Sequence, residues 1–152
     1  MKTVEQIMEE LSSDDWLVRE IAMWACGGRK DIPFELIERG LNDSDLIVRR
    51  AAICACGGRT DIPLELIERG ISDNDCVVRF AAIEACDGRD DITPEIIERW
   101  LGNGDWRVRE AAMWVCCERT YMPIELIERG LMDSDYRVRL AGMDAYLERG
   151  DV

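Results

Sequence analysis

The sequence predicts an all-α fold, an α-α superhelix or α-solenoid of about five helix pairs that are each 30 residues long. Residues 11–40 and 41–70 are identical at 19 of 30 positions, and the same register continues through residues 71–100, 101–130 and the partial unit 131–152. A fixed period of this length is typical of solenoids, in which each unit buries its apolar face by stacking on its neighbours. Apolar residues within a unit recur at helical spacing, so no strand is expected.

Length and composition favour one folded domain. The chain has 152 residues, of which 47% are hydrophobic, and such a composition supports a packed core. Residues 1–10 look like the second half of a unit, so the repeats begin in mid-unit. We therefore predict a single repeat domain over residues 1–152.

Each unit contains a short first helix that is marked by Pro and Gly. In the segment DIPFELIERG, Pro33 lies in the opening turn, where its missing N–H costs little, and Arg39 lies in the last turn. Gly40 is predicted to follow the end of the helix as its C′ residue. Pro63 with Gly70 and Pro123 with Gly130 repeat this arrangement.

The second helix of each unit is predicted to begin after an Asp that caps its N-terminus. In the unit 41–70 it starts after Asp45 and runs about 13 residues to Gly57 and Gly58. Equivalent caps are Asp15, Asp75, Asp105 and Asp135. The predicted buried stripe, spaced i, i+3, i+4, i+7, i+8, is Val48, Ala51, Ala52, Ala55 and Cys56.

Four cysteines recur at one position of the repeat: Cys26, Cys56, Cys86 and Cys116. Stacked helices lie about 8–10 Å apart, which is too far for disulfides between neighbouring rungs. None of the seven cysteines forms a CxxC pair. We therefore expect small buried thiols, no disulfide framework and no metal site.

Recurring arginines and acids are predicted to hold the repeats together. Arg19 lies one turn after the cap Asp15, so cap carboxylates are expected to pair with arginines of the same or the adjacent unit. Arg29 closes its second helix, where a cation complements the helix dipole, and Glu35 with Arg39 is spaced for an i, i+4 ion pair. The equivalent residues are Arg49, Arg79, Arg109 and Arg139; Arg59, Arg89, Arg119 and Arg149; and Glu65, Glu95 and Glu125 with Arg69, Arg99 and Arg129.

Charge and composition exclude several functions. The formal net charge of −13 argues against binding to nucleic acid, because neutralising phosphates requires clustered Lys and Arg. The chain has no histidine, so the usual Ser-His-Asp and Cys-His mechanisms are absent. No secretory signal or membrane span is visible in the sequence, so a cytoplasmic location is expected. We predict that the protein is not an enzyme and uses no cofactor or metal.

The second-helix pattern Asp-x-x-Val-Arg-x-Ala-Ala-x-x-Ala, present as Asp45, Val48, Arg49, Ala51, Ala52 and Ala55, recurs in near-identical form in the other units. It resembles the second helix of HEAT-like repeats. The resemblance implies a right-handed superhelix that acts as a scaffold for other macromolecules, with the second helices lining its concave face. The short first helix opened by Asp-Ile-Pro is also similar to the leucine-rich-repeat variant family, another α-solenoid.

Function is expected at the positions where the repeats differ. At 100° per residue, three positions of each second helix lie opposite the buried stripe, and we call this set the second-helix strip. It consists of Trp16, Glu20 and Trp24; Leu46, Arg50 and Cys54; Cys76, Phe80 and Glu84; Trp106, Glu110 and Trp114; and Tyr136, Leu140 and Asp144. Four of the five tryptophans lie on it, and large exposed apolar residues usually mark a binding site.

The strip predicts a scaffold that binds a protein or an extended peptide, with no nucleic-acid or membrane partner. Acids among the aromatic residues suggest a partner with some basic character. A monomer or a weak homo-oligomer is expected. Five alternatives stay open at this point. The strip itself could be tryptophans packed against neighbouring rungs or a homodimer surface. The protein could be a HEAT-like enzyme or enzyme subunit of the lyase or DNA glycosylase type, an acidic mimic of nucleic acid, or a purely structural subdomain of a longer assembly.

Overall fold

The computed structural model describes residues 1–150, which form ten α-helices and no strand. The predicted all-α fold is therefore confirmed. The chain divides into two compact units, Met1–Arg89 and Asp90–Val152, and each is described by itself. The first unit contains α1 (Val4–Glu10), α2 (Trp16–Trp24), α3 (Phe34–Leu41), α4 (Leu46–Cys54), α5 (Leu64–Ile71) and α6 (Cys76–Ala85). The second unit contains α7 (Pro94–Leu101), α8 (Trp106–Cys117), α9 (Ile124–Leu131) and α10 (Tyr136–Glu148).

Both units are stacks of α-solenoid helix pairs. In the first unit the second helices α2, α4 and α6 pack side by side in chain order, and the first helices α3 and α5 contact each other. In the second unit α8 packs against α10 and α7 against α9. The pairs α1/α2 to α9/α10 are the five predicted helix pairs.

An aspartate caps every second helix, as predicted. Asp45 accepts a hydrogen bond from the backbone N–H of Ile47 at 2.8 Å, which satisfies one of the free donors in the first turn of α4. The same bond is present at Asp15, Asp75, Asp105 and Asp135.

The predicted length of about 13 residues is wrong for α2 and α4. The second helices are longer in the repeats that lack a Gly-Gly pair. Helices α2 and α4 have nine residues each and end before a Gly-Gly pair. Gly58 has a φ of +69°, a left-handed conformation that breaks the helix and that glycine adopts without strain. Cys117 and Glu118 replace this pair in the fourth repeat, and α8 runs for 12 residues. Helix α10, which also lacks the pair, has 13.

The core includes the predicted apolar stripe of the second helix, since Val48, Ala51, Ala52, Ala55 and Cys56 are all buried. The Cys56 thiol donates a hydrogen bond to the carbonyl oxygen of Ala52 at 3.4 Å. Burial raises the pKa of this thiol to about 12, so it stays protonated and packs as a small apolar group. Cys26, Cys86 and Cys116 are also buried, and the Cys26 and Cys86 thiols donate to the carbonyl oxygens of Ala22 and Ala82.

The glycine of the first helix lies inside the helix, so the prediction that it follows the helix end is wrong. Gly40 is buried in α3, one residue before its last position. A Cβ on Gly40 would lie 2.3 Å from the Met23 sulfur of α2 and 2.8 Å from the Ala52 Cβ of α4. Glycine is therefore required because α3 packs closely between two successive second helices.

Three arginines of the second helices link successive repeats, but their partner is not the predicted cap residue. Arg49 forms a bidentate ion pair with Asp73 of the next repeat, with Nε to Oδ2 at 2.8 Å and Nη2 to Oδ1 at 3.2 Å. Its Nη1 donates to the carbonyl oxygens of Asp43 and Ser44 in its own loop. Arg19 pairs with Asp43, and Arg109 with Asp133, in the same geometry.

A second set of arginines, which the sequence predicts at the C-terminal ends of the second helices, includes buried members. Arg59 and Arg89 are 3% and 1% exposed. Arg89 donates to the carbonyl oxygens of Arg59 at 3.1 Å and Ile62 at 3.0 Å, and Arg59 donates to that of Ile32 at 3.2 Å. These guanidinium groups satisfy buried carbonyls of the preceding repeat, so they are structural links. In the second unit Arg119 makes the same bond to the carbonyl of Ile92.

The arginines of the first helices also contact the preceding repeat, and not the glutamate expected at i−4. Arg69 pairs with Glu38 at 2.8 Å and donates to the side chain of Asn42 at 2.6 Å. Arg129 contacts Glu98 at 3.3 Å. Every recurring cation described so far thus adds contacts between neighbouring repeats of one unit.

Two equivalent glycines are expected to differ in their response to alanine. A Cβ on Gly70 would contact the Ile53 side chain and would also lie 2.9 Å from the Ala82 Cβ, which is fixed on a helix backbone, whereas the three atoms nearest to a Cβ on Gly130 all belong to the flexible side chain of Met113. We expect Gly70→Ala to lower the free energy of unfolding by about 1–3 kcal/mol and Gly130→Ala to lower it distinctly less. Urea denaturation of both variants measures the difference. Equal effects, or a stabilised Gly70→Ala that reflects only the helix propensity of alanine, would contradict this packing.

The ion pairs between repeats predict a loss of stability in acid. Burial alone would raise the pKa of the Asp73 carboxyl, but hydrogen bonds from Arg49 and from the Asp75 N–H lower it below its ordinary value of 3.8. A carboxyl with a lowered pKa stabilises the fold above the unfolded value and loses this contribution as the pH falls through the folded value. Unfolding measured from pH 7 to pH 2 should therefore show stability falling below about pH 4.

The variant Asp73→Asn tests the assignment of this acid sensitivity. We expect it to lose about 1–3 kcal/mol at pH 7 and to show a shallower fall in stability below pH 4. The matched control is Glu65→Gln, because Glu65 is an exposed carboxylate of the same unit on α5. A control that changes the pH profile as much as Asp73→Asn does would rule out a special contribution from the Arg49–Asp73 pair.

Candidate partner-binding surface

None of the residues of the second-helix strip is buried. In the first unit Trp24 and Phe80 are 47% and 60% exposed, and in the second unit Tyr136 is 56% exposed. Trp106 and Trp114 are half-buried. The first unit carries the residues from Trp16 to Glu84, and the second unit carries those from Trp106 to Asp144. Each unit thus has its own row of aromatic and charged side chains on neighbouring second helices.

In the first unit the indole of Trp24 is held by two charged neighbours. Its Nε1 donates a hydrogen bond to a carboxylate oxygen of Glu20 at 3.1 Å, one turn earlier on α2. The guanidinium carbon of Arg50, on the adjacent α4, lies 6.0 Å from the ring centroid. Glu20 and Arg50, which the sequence also assigned to the strip, thus both lie beside the Trp24 ring and restrict its orientation before any partner binds.

The strip offers no activated nucleophile at Cys54. Burial raises the pKa of its thiol, the nearby Arg50 lowers it, and Glu84 raises it further, with a net upward shift. A reactive cysteine needs the opposite shift, which stabilises the thiolate. The arrangement around Cys54 suits packing and not covalent chemistry.

In the second unit the indole of Trp106 is covered by an arginine. The guanidinium carbon of Arg137 lies 4.0 Å from the Trp106 ring centroid and 5.1 Å from that of Tyr136. Arg107 lies 5.7 Å from the same Trp106 ring. These are cation–π distances. The two arginines occupy the position next to the strip on their helices, so sequence reasoning limited to the three outward positions missed them.

A cleft of about 350 Å³ lies beside the strip in the second unit. Trp114, Cys117, Glu118, Asp144, Leu147 and Glu148 line it. Only Trp114 and Asp144 were predicted as site residues. The others lie in the extra turns of α8 and α10, where earlier repeats have Gly-Gly or Asp-Gly. The loss of the paired glycines is the sequence signal that could have revealed the cleft.

A larger open groove of about 580 Å³ in the first unit lies between two loops, and the charged groups along it are largely paired. Arg19 binds Asp43, and Arg39 donates to the Leu11 carbonyl and the Ser12 hydroxyl. Within residues 1–150 no group of three or more Cys, Asp or Glu side chains is arranged to hold a metal ion. In the same residues no helix is long and apolar enough to cross a membrane.

Comparisons with known proteins agree with the helix pairs. The family model described as HEAT repeats matches residues 4–87, which is more than half of the chain. No curated protein sequence matches. The crystal structure of an engineered protein is similar with a TM-score of 0.48 at 17% identity, covering 98% of this chain and 80% of that chain, too distant a similarity to support an argument. On the family match and the repeated helix pairs, the chain belongs to the HEAT-repeat family.

Proposed function

We propose that the protein is a non-enzymatic scaffold that binds a protein or peptide partner through the second-helix strip. The observation that carries this proposal is the exposure of large aromatic side chains on the outward positions of the second helices, including Trp16, Trp24 and Phe80 in the first unit and Tyr136 in the second. Soluble proteins seldom expose such residues in a contiguous row unless another molecule covers them.

The geometry around Trp24 suits a preformed contact. Binding normally costs the rotamer freedom of side chains that become fixed in the interface. The bond from the Trp24 indole to Glu20 and the neighbouring Arg50 already restrict this ring in the free protein. Tryptophan also contributes more often than most residues to the binding energy of interfaces.

The charges beside the strip favour a partner with basic segments. Glu20, Glu84, Glu110 and Asp144 lie among the aromatic residues of the strip, and the whole chain has a net charge of −13. Oppositely charged surfaces accelerate association and disfavour acidic competitors. A basic peptide or protein surface therefore complements the strip better than a nucleic acid does.

Alanine substitutions in the strip test the proposal in each unit separately. We expect Trp24→Ala in the first unit and Trp114→Ala in the second to lower the affinity for a partner isolated from the native cell extract at least about tenfold each, because truncating a central tryptophan commonly costs 2 kcal/mol or more. Isothermal titration calorimetry with the purified partner measures the change.

Exposed aromatic residues outside the strip provide the controls. Phe34 lies at the start of α3 in the first unit, and Tyr121 precedes α9 in the second; both are exposed. Phe34→Ala and Tyr121→Ala should leave the affinity unchanged. The proposal is wrong if both tryptophan variants keep their helical circular dichroism spectrum and bind as tightly as these controls.

A further inference from the structure

The cleft in the second unit has an aromatic wall and an acidic rim. The indole of Trp114 projects from α8, and Leu147 from the extra turn of α10 supplies a second apolar wall. Glu118, Asp144 and Glu148 are exposed along its edge. No Lys or Arg lines the cleft. Its chemistry therefore matches a group that is both flat enough to stack on an indole and positively charged.

Within the described part of the chain, the three carboxylates of this cleft make no ion pair or hydrogen bond; they belong to Glu118, Asp144 and Glu148. By contrast, the loop aspartates Asp43, Asp73 and Asp133 each pair with an arginine of the preceding repeat. The field of the three carboxylates also reaches Cys117, the pKa of which is raised first by burial and then by all three of them. Unpaired negative charge is thus concentrated in the cleft.

Two other indoles of the strip already lie beside an arginine of the chain. Arg50 lies beside Trp24, and Arg137 covers Trp106. Trp114 occupies the position of Trp24 three repeats later, but Leu140 replaces the residue equivalent to Arg50. No cation of the described chain lies over the Trp114 ring, so a guanidinium from another molecule has room where the earlier repeat supplies its own.

We propose that this cleft receives an arginine side chain of the protein partner. The inference rests on the proposed function, since it names the group that enters one end of the second-helix strip. A planar guanidinium can stack on the Trp114 indole and at the same time direct several N–H donors at Glu118, Asp144 and Glu148. Lysine has a compact ammonium and lacks the flat face, and an acidic or phosphorylated segment would be repelled.

The test uses the full-length ¹⁵N-labelled chain and two short peptides that differ only in charge. The probe is N-acetyl-Gly-Arg-Gly-amide, and the control peptide carries citrulline, a neutral group of nearly the same shape, in place of arginine. The indole N–H resonance of Trp114 is assigned with Trp114→Phe. We expect this resonance to shift saturably with the arginine peptide, and the citrulline peptide to bind at least about tenfold more weakly.

Matched charge variants separate the cleft from the net charge. Asp144→Asn with Glu148→Gln removes two carboxylates of the cleft and should weaken the arginine peptide about fivefold. Glu125→Gln with Glu128→Gln removes two exposed charges of α9 in the same unit and should leave binding unchanged. The Trp24 and Trp106 resonances should move little, because these rings already have an arginine of the chain beside them.

Several results would overturn the proposal. These are a Trp114 resonance that does not move, equal shifts with arginine and citrulline, or equal weakening by the two double variants. A Trp114 resonance that moves with protein concentration alone would show that a second copy of the chain fills the cleft. If the arginine peptide fails while Trp24→Ala and Trp114→Ala still abolish partner binding, only the arginine assignment is rejected and the proposed function stands.

Discussion

The close contact between each first helix and the second helices beside it is the constraint on which both units depend. Gly40 and Gly70 have no side chain at the points where α3 and α5 meet Ala52 and Ala82. In the second unit a second helix also contributes a glycine to this contact, because Gly142 of α10 faces the backbone of Gly130 and Leu131 in α9. Van der Waals contact and the burial of apolar surface favour this close packing of helices only when no larger side chain lies between them. Ion pairs such as Arg49–Asp73 then fix the register of one repeat on the next.

Because the inner contacts repeat, the outward positions of successive second helices form ordered rows, and the residues in those rows differ between repeats. In the first unit the row contains Trp24, the indole of which lies beside Glu20 and Arg50. In the second unit the second helices are longer than α2 and α4, and their additional residues help to form a cleft rimmed by carboxylates. Replacement of the two glycines thus extends the helix and adds a wall to the cleft.

The sequence predicted the helix pairs and the aspartate caps, because both are encoded by residues that recur at a fixed spacing. Predictions from the sequence were wrong for residues whose position depends on contacts with a neighbouring repeat. Gly40 was predicted to follow a helix end because its close neighbour Ala52 cannot be identified from the sequence of one repeat. The burial of Arg59 was not predicted because it depends on the carbonyl of Ile32 in the preceding repeat. The cleft could not be predicted from the three outward positions, since Leu147 and Glu148 belong to a turn that earlier repeats lack.

Hydroxyl-radical footprinting of the protein with and without its purified partner tests most directly whether the second-helix strip is the functional surface. The method reports the solvent access of individual aromatic and sulfur-containing side chains, and the chain carries exposed ones both on the strip and elsewhere. We expect the partner to protect Trp16, Trp24, Phe80, Trp114 and Tyr136 and to leave Phe34, Tyr121 and Met132 fully reactive. Protection of Phe34, Tyr121 and Met132 with an unprotected strip would contradict the account.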